Sequence, residues 1–170
     1  DPGLFDSDGN GVSDGDEDRD LDNLSNLQEK NITGTDPTLL DTDDDSISDG
    51  NEDRDNDGLS DSIELNITLT QYDDADTDGD TISDGDEDTD NDGIKDSFEF
   101  QIGSQYNNSD SDSDGITDAD EDFDNDGLSN LAELTITLTN PLLADTDANS
   151  IIDGNEDSDG DGLSDANEIH

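Results

Sequence analysis

One twelve-residue pattern, Asp-x-Asp-x-(Asp/Asn)-x-(Val/Leu/Ile)-x-(Asp/Asn)-x-x-Glu, occurs ten times in 170 residues and leaves little chain for any other design. The copies abut in pairs, and the pair recurs every 34 or 35 positions. First loops open at Asp6, Asp41, Asp76, Asp110 and Asp145, and second loops follow twelve residues later at Asp18, Asp53, Asp88, Asp122 and Asp157. A fixed period of this length marks a repeat architecture, in which each unit is stabilised by its neighbours. The pattern divides the chain into repeats at 1–40, 41–75, 76–109, 110–144 and 145–170.

Such a chain cannot collapse unaided. Fifty-four acidic residues face four basic ones (Arg19, Lys30, Arg54, Lys95), giving a formal charge of −50 with 24% apolar residues. That composition is typical of disordered segments. Two carboxylates about 4 Å apart repel by roughly 4 kcal/mol at an intermediate effective dielectric, and so little apolar surface cannot offset dozens of such pairs. Folding therefore requires external counter-charge, so the chain is expected to be disordered without metal and ordered with it. The same charge excludes nucleic acid as a partner.

The loops offer that metal a defined ligand set. A hard cation such as Ca²⁺ takes six to eight oxygens, which a twelve-residue loop delivers from positions 1, 3, 5, 7, 9 and 12. Repeat 1 supplies Asp6, Asp8, Asn10, Asp14 and Glu17, then Asp18, Asp20, Asp22 and Glu29. Repeat 2 supplies Asp41, Asp43, Asp45, Asp49 and Glu52, then Asp53, Asp55, Asp57, Asp61 and Glu64. In repeat 3 the candidates are Asp76, Asp78, Asp80, Asp84 and Glu87, then Asp88, Asp90, Asp92, Asp96 and Glu99. Repeat 4 contributes Asp110, Asp112, Asp114, Asp118 and Glu121, then Asp122, Asp124, Asp126 and Glu133. Repeat 5 ends the series with Asp145, Asp147, Asn149, Asp153 and Glu156, then Asp157, Asp159, Asp161, Asp165 and Glu168. Position 7 gives a backbone carbonyl and position 9 binds directly or through water. Cysteine is absent and the one histidine is the last residue, which disfavours zinc and copper. Calcium suits the glutamate-closed loop better than magnesium, at about one ion or more per loop.

Alternating aspartate arises easily in so acidic a chain, but composition alone would not hold the aliphatic at position 7 and glutamate at position 12 through ten copies. The register also differs from an EF-hand, which carries its aliphatic at position 8 and flanks its loop with helices. Here each second loop begins on the residue after the first loop's glutamate, as at Glu52 and Asp53, leaving no room for a helix between them. Runs such as 76–87 and linkers such as Gly34 to Pro37 resemble the thrombospondin type 3 repeat, most closely its cysteine-free bacterial version. The resemblance spans essentially the whole chain. It implies a calcium-wound fold with little regular secondary structure, found as stalks or spacers of secreted and surface proteins.

Several positions depart from the pattern. Position 6 is Asn23, Ser46, Thr81 and Ser150 where glycine would take positive φ freely, so Thr81 either carries strain or adopts another turn. Position 5 is Asn10 and Asn149 in two first loops, which keeps an oxygen ligand and removes a charge. Those loops are expected to bind more weakly, the loop 145–156 most weakly. Without cysteine, metal must carry nearly all the stability.

Between the pairs lie short linkers. Leu65-Asn66-Ile67-Thr68-Leu69-Thr70, Leu134-Thr135-Ile136-Thr137-Leu138-Thr139 and the weaker Phe100-Gln101-Ile102 alternate with period two, which predicts short β-strands stacking in a solenoid-like array. Gly34 and Pro37 break the first such segment. Residues 1–5 align with 36–40, and 169–170 with 30–31, so the chain reads either as a subunit polymerising head to tail or as a window on a longer array.

The remaining signals are weaker. Asn-x-Ser/Thr sequons at Asn23, Asn31, Asn66 and Asn107 occur about as often as composition produces by chance, so glycosylation stays open. A single terminal histidine supports no nucleophile and base pair, so no enzyme is expected. No 20-residue apolar span suggests direct membrane insertion. Low-millimolar extracellular calcium suits such loops, placing the chain outside the cell or at its surface. The expected function is a calcium-rigidified structural array, a surface or matrix filament subunit or a stalk. Alternatives are an adhesin, an acidic module for mineral or glycan, or a disordered calcium buffer.

Overall fold

Each loop is drawn shut by the same backbone hydrogen bond, from the position-9 amide to the carbonyl of the residue before the loop. In the computed structural model, which describes residues 5–168, the first loops close this way from Asp14 to Phe5, Asp49 to Leu40, Asp84 to Ala75, Asp118 to Ser109 and Asp153 to Ala144, at 2.9–3.1 Å. In second loops the acceptor is the first loop's own glutamate: Asn26 to Glu17, Asp61 to Glu52, Asp96 to Glu87, Asn130 to Glu121 and Asp165 to Glu156, at 2.7–2.8 Å. The abutment seen in sequence is thus a mechanical joint. One residue ends the first loop and fastens the second.

Within the loops the backbone turns left-handed twice. Position 6 has φ between 77° and 106° in all ten loops, and position 4 has φ between 59° and 79°. These turns aim amide N–H groups at the position-1 carboxylate, as where Asn23 and Leu21 both donate to Asp18. The position-7 N–H then donates to the position-5 side chain two residues back, an Asx turn repeated ten times at 2.7–2.9 Å. Asp-x-Asp spacing is therefore a turn code as well as a ligand code. Thr81 takes φ +87° and keeps the common turn, so it carries the strain.

The linkers are helical, not extended. Among the described residues there is no strand, so the expected strands at 65–70, 134–139 and 100–102, and the solenoid they would build, are not found. In their place α1 (Asn26–Gln28), α2 (Asp61–Ile63) and α4 (Asn130–Ala132) each run into a five-residue π turn, at Glu29–Thr33, Glu64–Thr68 and Glu133–Thr137. The longer α3 spans Asp96–Ile102, and α5 spans Asp165–Glu168. Two local causes override the period-two pattern. Position-8 serine caps α1 and α4: Ser25 and Gln28 form a capping box, and Ser129 accepts the Ala132 N–H, whereas Ser60 and Lys95 start α2 and α3 without a side-chain cap bond. The position-12 glutamate is then buried in the first turn, which leaves Ile67, Leu69, Ile136 and Leu138 exposed with no sheet to pack against. Left-handed residues end the segments, Gly34 and Gly103 at ease and Leu69 and Leu138 at a cost.

The chain forms two compact units, Asp1–Asp84 and Gly85–His170. Their cores are thin and come mainly from position 7 of second loops. Leu24 and Leu59 in the first unit, and Ile94 and Leu128 in the second, are 0–2% exposed, joined there by Ala119 and Ala132. First-loop counterparts Val12, Ile47, Ile82, Ile116 and Ile151 stay exposed. In the first unit Asn66 adds a brace, donating to the Asn23 carbonyl at 2.9 Å and accepting from Gln28 at 2.7 Å. Arg54 stacks over Tyr72 at 5.0 Å, and the Tyr72 hydroxyl donates to the Ile32 carbonyl. In the second unit Phe100 stacks on Tyr106 with centroids 5.4 Å apart. The half-linker match at the chain ends rests on residues 1–4 and 169–170, outside the described residues.

Candidate calcium sites

First and second loops of a pair differ in depth. First-loop acids such as Asp43, Asp45, Asp78 and Asp80 are exposed, whereas the second-loop acids of repeats 1–4 are buried or half-buried; in repeat 5 Asp157, Asp159 and Asp161 are exposed. Glu29, Glu64, Glu99 and Glu133 are each 0% exposed, and Asp22 and Asp126 are buried beside them. Ordinary proteins do not bury carboxylates without donors. Here both oxygens of Glu29, Asp20 and Asp55, together with Glu64 Oε2, Glu99 Oε2 and Glu133 Oε2, have no hydrogen-bond donor. They converge, which is the chemistry of a hard-cation cage.

Two kinds of convergence recur. Within a loop, positions 1, 3 and 5 bring one oxygen each within 4.8 Å of the others, at Asp18, Asp20 and Asp22, at Asp41, Asp43 and Asp45, and at Asp53, Asp55 and Asp57. Between repeats, Asp22 and Glu29 meet Asp49 of the next repeat, and Asp57 and Glu64 meet Asp84. In the second unit Glu133 lies in the field of Asp124, Asp126 and Asp153, and Asp92 in that of Asp118. The second-loop site is completed by position 9 of the following first loop. These residues fit a divalent ion, which would supply the positive charge that the cage lacks.

Position 9 is also tied down by its own loop. In every first loop the position-2 hydroxyl and N–H both donate to it: Ser7 to Asp14, Thr42 to Asp49, Thr77 to Asp84, Ser111 to Asp118 and Thr146 to Asp153, the hydroxyl bonds being 2.6–2.7 Å. Thr89 and Ser158 hold Asp96 and Asp165 likewise in second loops. Where position 2 is Arg19 or Phe123, position 9 is Asn26 or Asn130, whose amide donates to the carbonyl of Asp14 or Asp118. Arg54 instead lies 3.7 Å from Asp61. The structure thus directs Asp49, Asp84, Asp118 and Asp153 to the preceding loop's cage, while Asp61, Asp96 and Asp165 serve as clamps.

Sequence reasoning missed this partnership, although a signal was present. Position 10 is Gly15, Gly50, Gly85, Ala119 or Gly154 in first loops and larger in most second loops. A Cβ at Gly50 would run into the Asp22 carbonyl oxygen, and one at Gly154 into that of Asp126. The amides of Ala119 and Gly154 donate to Asp92 Oδ2 and Asp126 Oδ2, at 3.1 and 2.7 Å. At Gly50, Ala119 and Gly154 the small residue marks where a repeat docks on the loop before it.

Burial dominates the electrostatics. Loss of solvent pushes Glu29 up to about 7 and Glu64, Glu99 and Glu133 up to about 8, with neighbouring aspartates adding to each shift. Burial likewise pushes Asp124 up to about 6, reinforced by Asp126. Asp20, Asp55 and Asp90 move upward for the same reason. Without cations the cage therefore favours protons, as a metal site does.

The geometry defines a class, the repeat protein built on carboxylate cages. A profile of the bacterial TSP3 repeat matches residues 53–67, 88–104, 122–144 and 157–169. These four segments match the bacterial TSP3 repeat, and each is a second loop with part or all of the linker after it. No curated protein and no solved structure matches the chain. TSP3 repeats bind calcium, in accord with the cages. No helix among the described residues is long and apolar enough to cross a membrane.

Proposed function

We propose that the chain is an extracellular, non-catalytic structural array whose repeats are locked by calcium, working as a surface or matrix filament subunit or as a stalk. One observation carries the reading: the buried triad Asp22, Glu29 and Asp49 takes ligands from two consecutive repeats, so an ion there fastens one repeat to the next. A mineral-binding or glycan-binding acidic face would use the exposed carboxylates and leave the buried ones unexplained. A disordered buffer would not need a position-10 glycine that lets one repeat's backbone touch another's loop.

Head-to-tail association extends the same logic. Leu163 is 53% exposed, whereas its counterparts Leu24, Leu59, Ile94 and Leu128 are at most 2% exposed. A further repeat or a second copy seated on the loop 157–168 covers it. Electron microscopy in calcium and in EGTA tests the assembly, with fibres expected only in calcium.

The locking mechanism has its own test. Circular dichroism and limited proteolysis at pH 8 are expected to report loss of order and of protection on adding EGTA. An EGTA-treated chain that stays folded and protected would rule out metal-templated rigidity.

A further inference from the structure

We propose that Asn10–Gly11 is a self-modification site, at which asparagine is converted to aspartate or isoaspartate with water as the co-reactant, and that closure of the loop 6–17 holds the reaction off. The inference goes beyond the structural role and does not depend on it.

The sequence sets up the chemistry. Asparagine is a chemically labile residue, and it reacts when the next backbone nitrogen reaches its side-chain carbon. A Cβ on the following residue obstructs that approach, and glycine has none. Of the sixteen asparagines Asn10 alone precedes glycine. In the reaction Gly11 N gives up its proton and bonds to Asn10 Cγ, the Cγ–Nδ2 bond breaks, and Nδ2 leaves as ammonia with that proton. Water then opens the cyclic imide, at Cγ to give aspartate or at the backbone carbonyl carbon to give isoaspartate. No oxidant or reductant takes part.

The closed loop opposes the first of these steps. The Gly11 N–H donates to Asp6 Oδ2 at 3.0 Å, which turns the nucleophile onto a carboxylate whose charge disfavours loss of the proton. Asn10 Oδ1 accepts the Val12 N–H at 2.7 Å, which fixes the group under attack in the Asx turn. Forming the imide breaks both bonds. Both residues are exposed, so an open loop leaves them to water. Asn149 is an internal comparison, holding position 5 through the same bond to the Ile151 N–H but followed by Ser150 at φ +79°. Either product alters the loop. Aspartate adds the carboxylate that Asp45, Asp80 and Asp114 carry at this position, and isoaspartate routes the backbone through the side-chain carbon and dismantles the Asx turn.

Peptide mapping by mass spectrometry follows Asn10 in the full chain at pH 8, in calcium, in EGTA and in urea. Conversion in urea is expected to be at least about tenfold faster than in calcium, because a modification that needs an open loop tracks the population of the open form. Asn149 in urea, and Asn10 in a Gly11→Ser variant in urea, are expected to convert at least about tenfold more slowly than wild-type Asn10 there. Serine is accommodated at this position in the left-handed conformation, as Ser46 and Ser150 show. Equal rates in calcium and in urea overturn the protection, and equal rates at Asn10 and Asn149 in urea overturn the site. Conversion in EGTA as slow as in calcium, with urea fast, upholds the protected site and defeats only the metal-locked reading.

Discussion

A single residue type does two jobs in this chain. Aspartate at positions 1 and 5 shapes the turns through its hydrogen bonds and also brings together oxygens that could hold an ion, so the candidate site and the backbone geometry are inseparable. Position 9 was legible as a functional acid, but its partner was not, because the oxygens it meets, as Asp49 meets Glu29 and Asp22, belong to a loop in the preceding repeat. Asp49→Asn should keep the Thr42 N–H bond on its one carbonyl oxygen, reverse the hydroxyl bond so that the amide donates to Thr42 Oγ1, and lose the inter-repeat ligand charge. We expect one calcium step in a titration to weaken by about tenfold or more, as for removal of a group that supports a metal site. Asp44→Asn, at an exposed left-handed position where three other loops already carry asparagine, should leave every step unchanged. Gly50→Ala should destabilise the calcium-bound chain by about 1–3 kcal/mol through the forced contact with Asp22. Thr81→Gly should instead stabilise it by about 1 kcal/mol, the lower end of what a strained backbone residue costs, measured by thermal melting.

At the scale of the element, the linkers are where the sequence misled. Leu65 to Thr70 has the period of a strand, yet strand formation needs a partner, and each linker lies against loops that offer none. What decides the outcome is local: a position-12 glutamate whose burial fixes the next turn, joined at Ser25 and Ser129 by a serine N-cap at position 8. The capping box Ser25 to Gln28 was present in the sequence as Ser-x-x-Gln before an Ile-containing run. Ser25→Ala should cost about 1 kcal/mol of stability in calcium. Leu69 and Leu138, 76% and 77% exposed in left-handed conformations, contribute little packing. Replacing either by glycine should raise the melting temperature, with a gain of about 0.5–1 kcal/mol once the greater freedom of the unfolded glycine is subtracted. An unchanged or lowered melting temperature would mean that these leucines are covered in the assembled protein.

For the whole molecule, protons and calcium compete for the same cages. Glu29 near 7 and Glu64, Glu99 and Glu133 near 8 are raised above the ordinary 4.5 of glutamate, so the folded metal-free chain binds more protons than the unfolded one across that window. Its stability is therefore greatest below about pH 4.5 and is lost as pH rises through 7 to 8. Calcium has the opposite preference, because binding needs the carboxylates ionised. Circular dichroism in EGTA should report most order in acid and least near pH 8. Order in calcium should persist at pH 8, and a titration at pH 7 should release protons. An EGTA profile in which order increases toward pH 8 would contradict the buried-cage electrostatics. The sequence by itself determined the repeat, the loop register, the oxygen-only set of candidate ligands and the excess of negative charge, because these follow from residue spacing and a net charge of −50. Only the tertiary structure decided that the second loops of repeats 1–4 are buried more deeply than their first loops, that position 9 completes the preceding repeat's cage, and that linkers coil into helical turns. Those outcomes depend on which backbone approaches which loop, and that approach is set by packing between repeats.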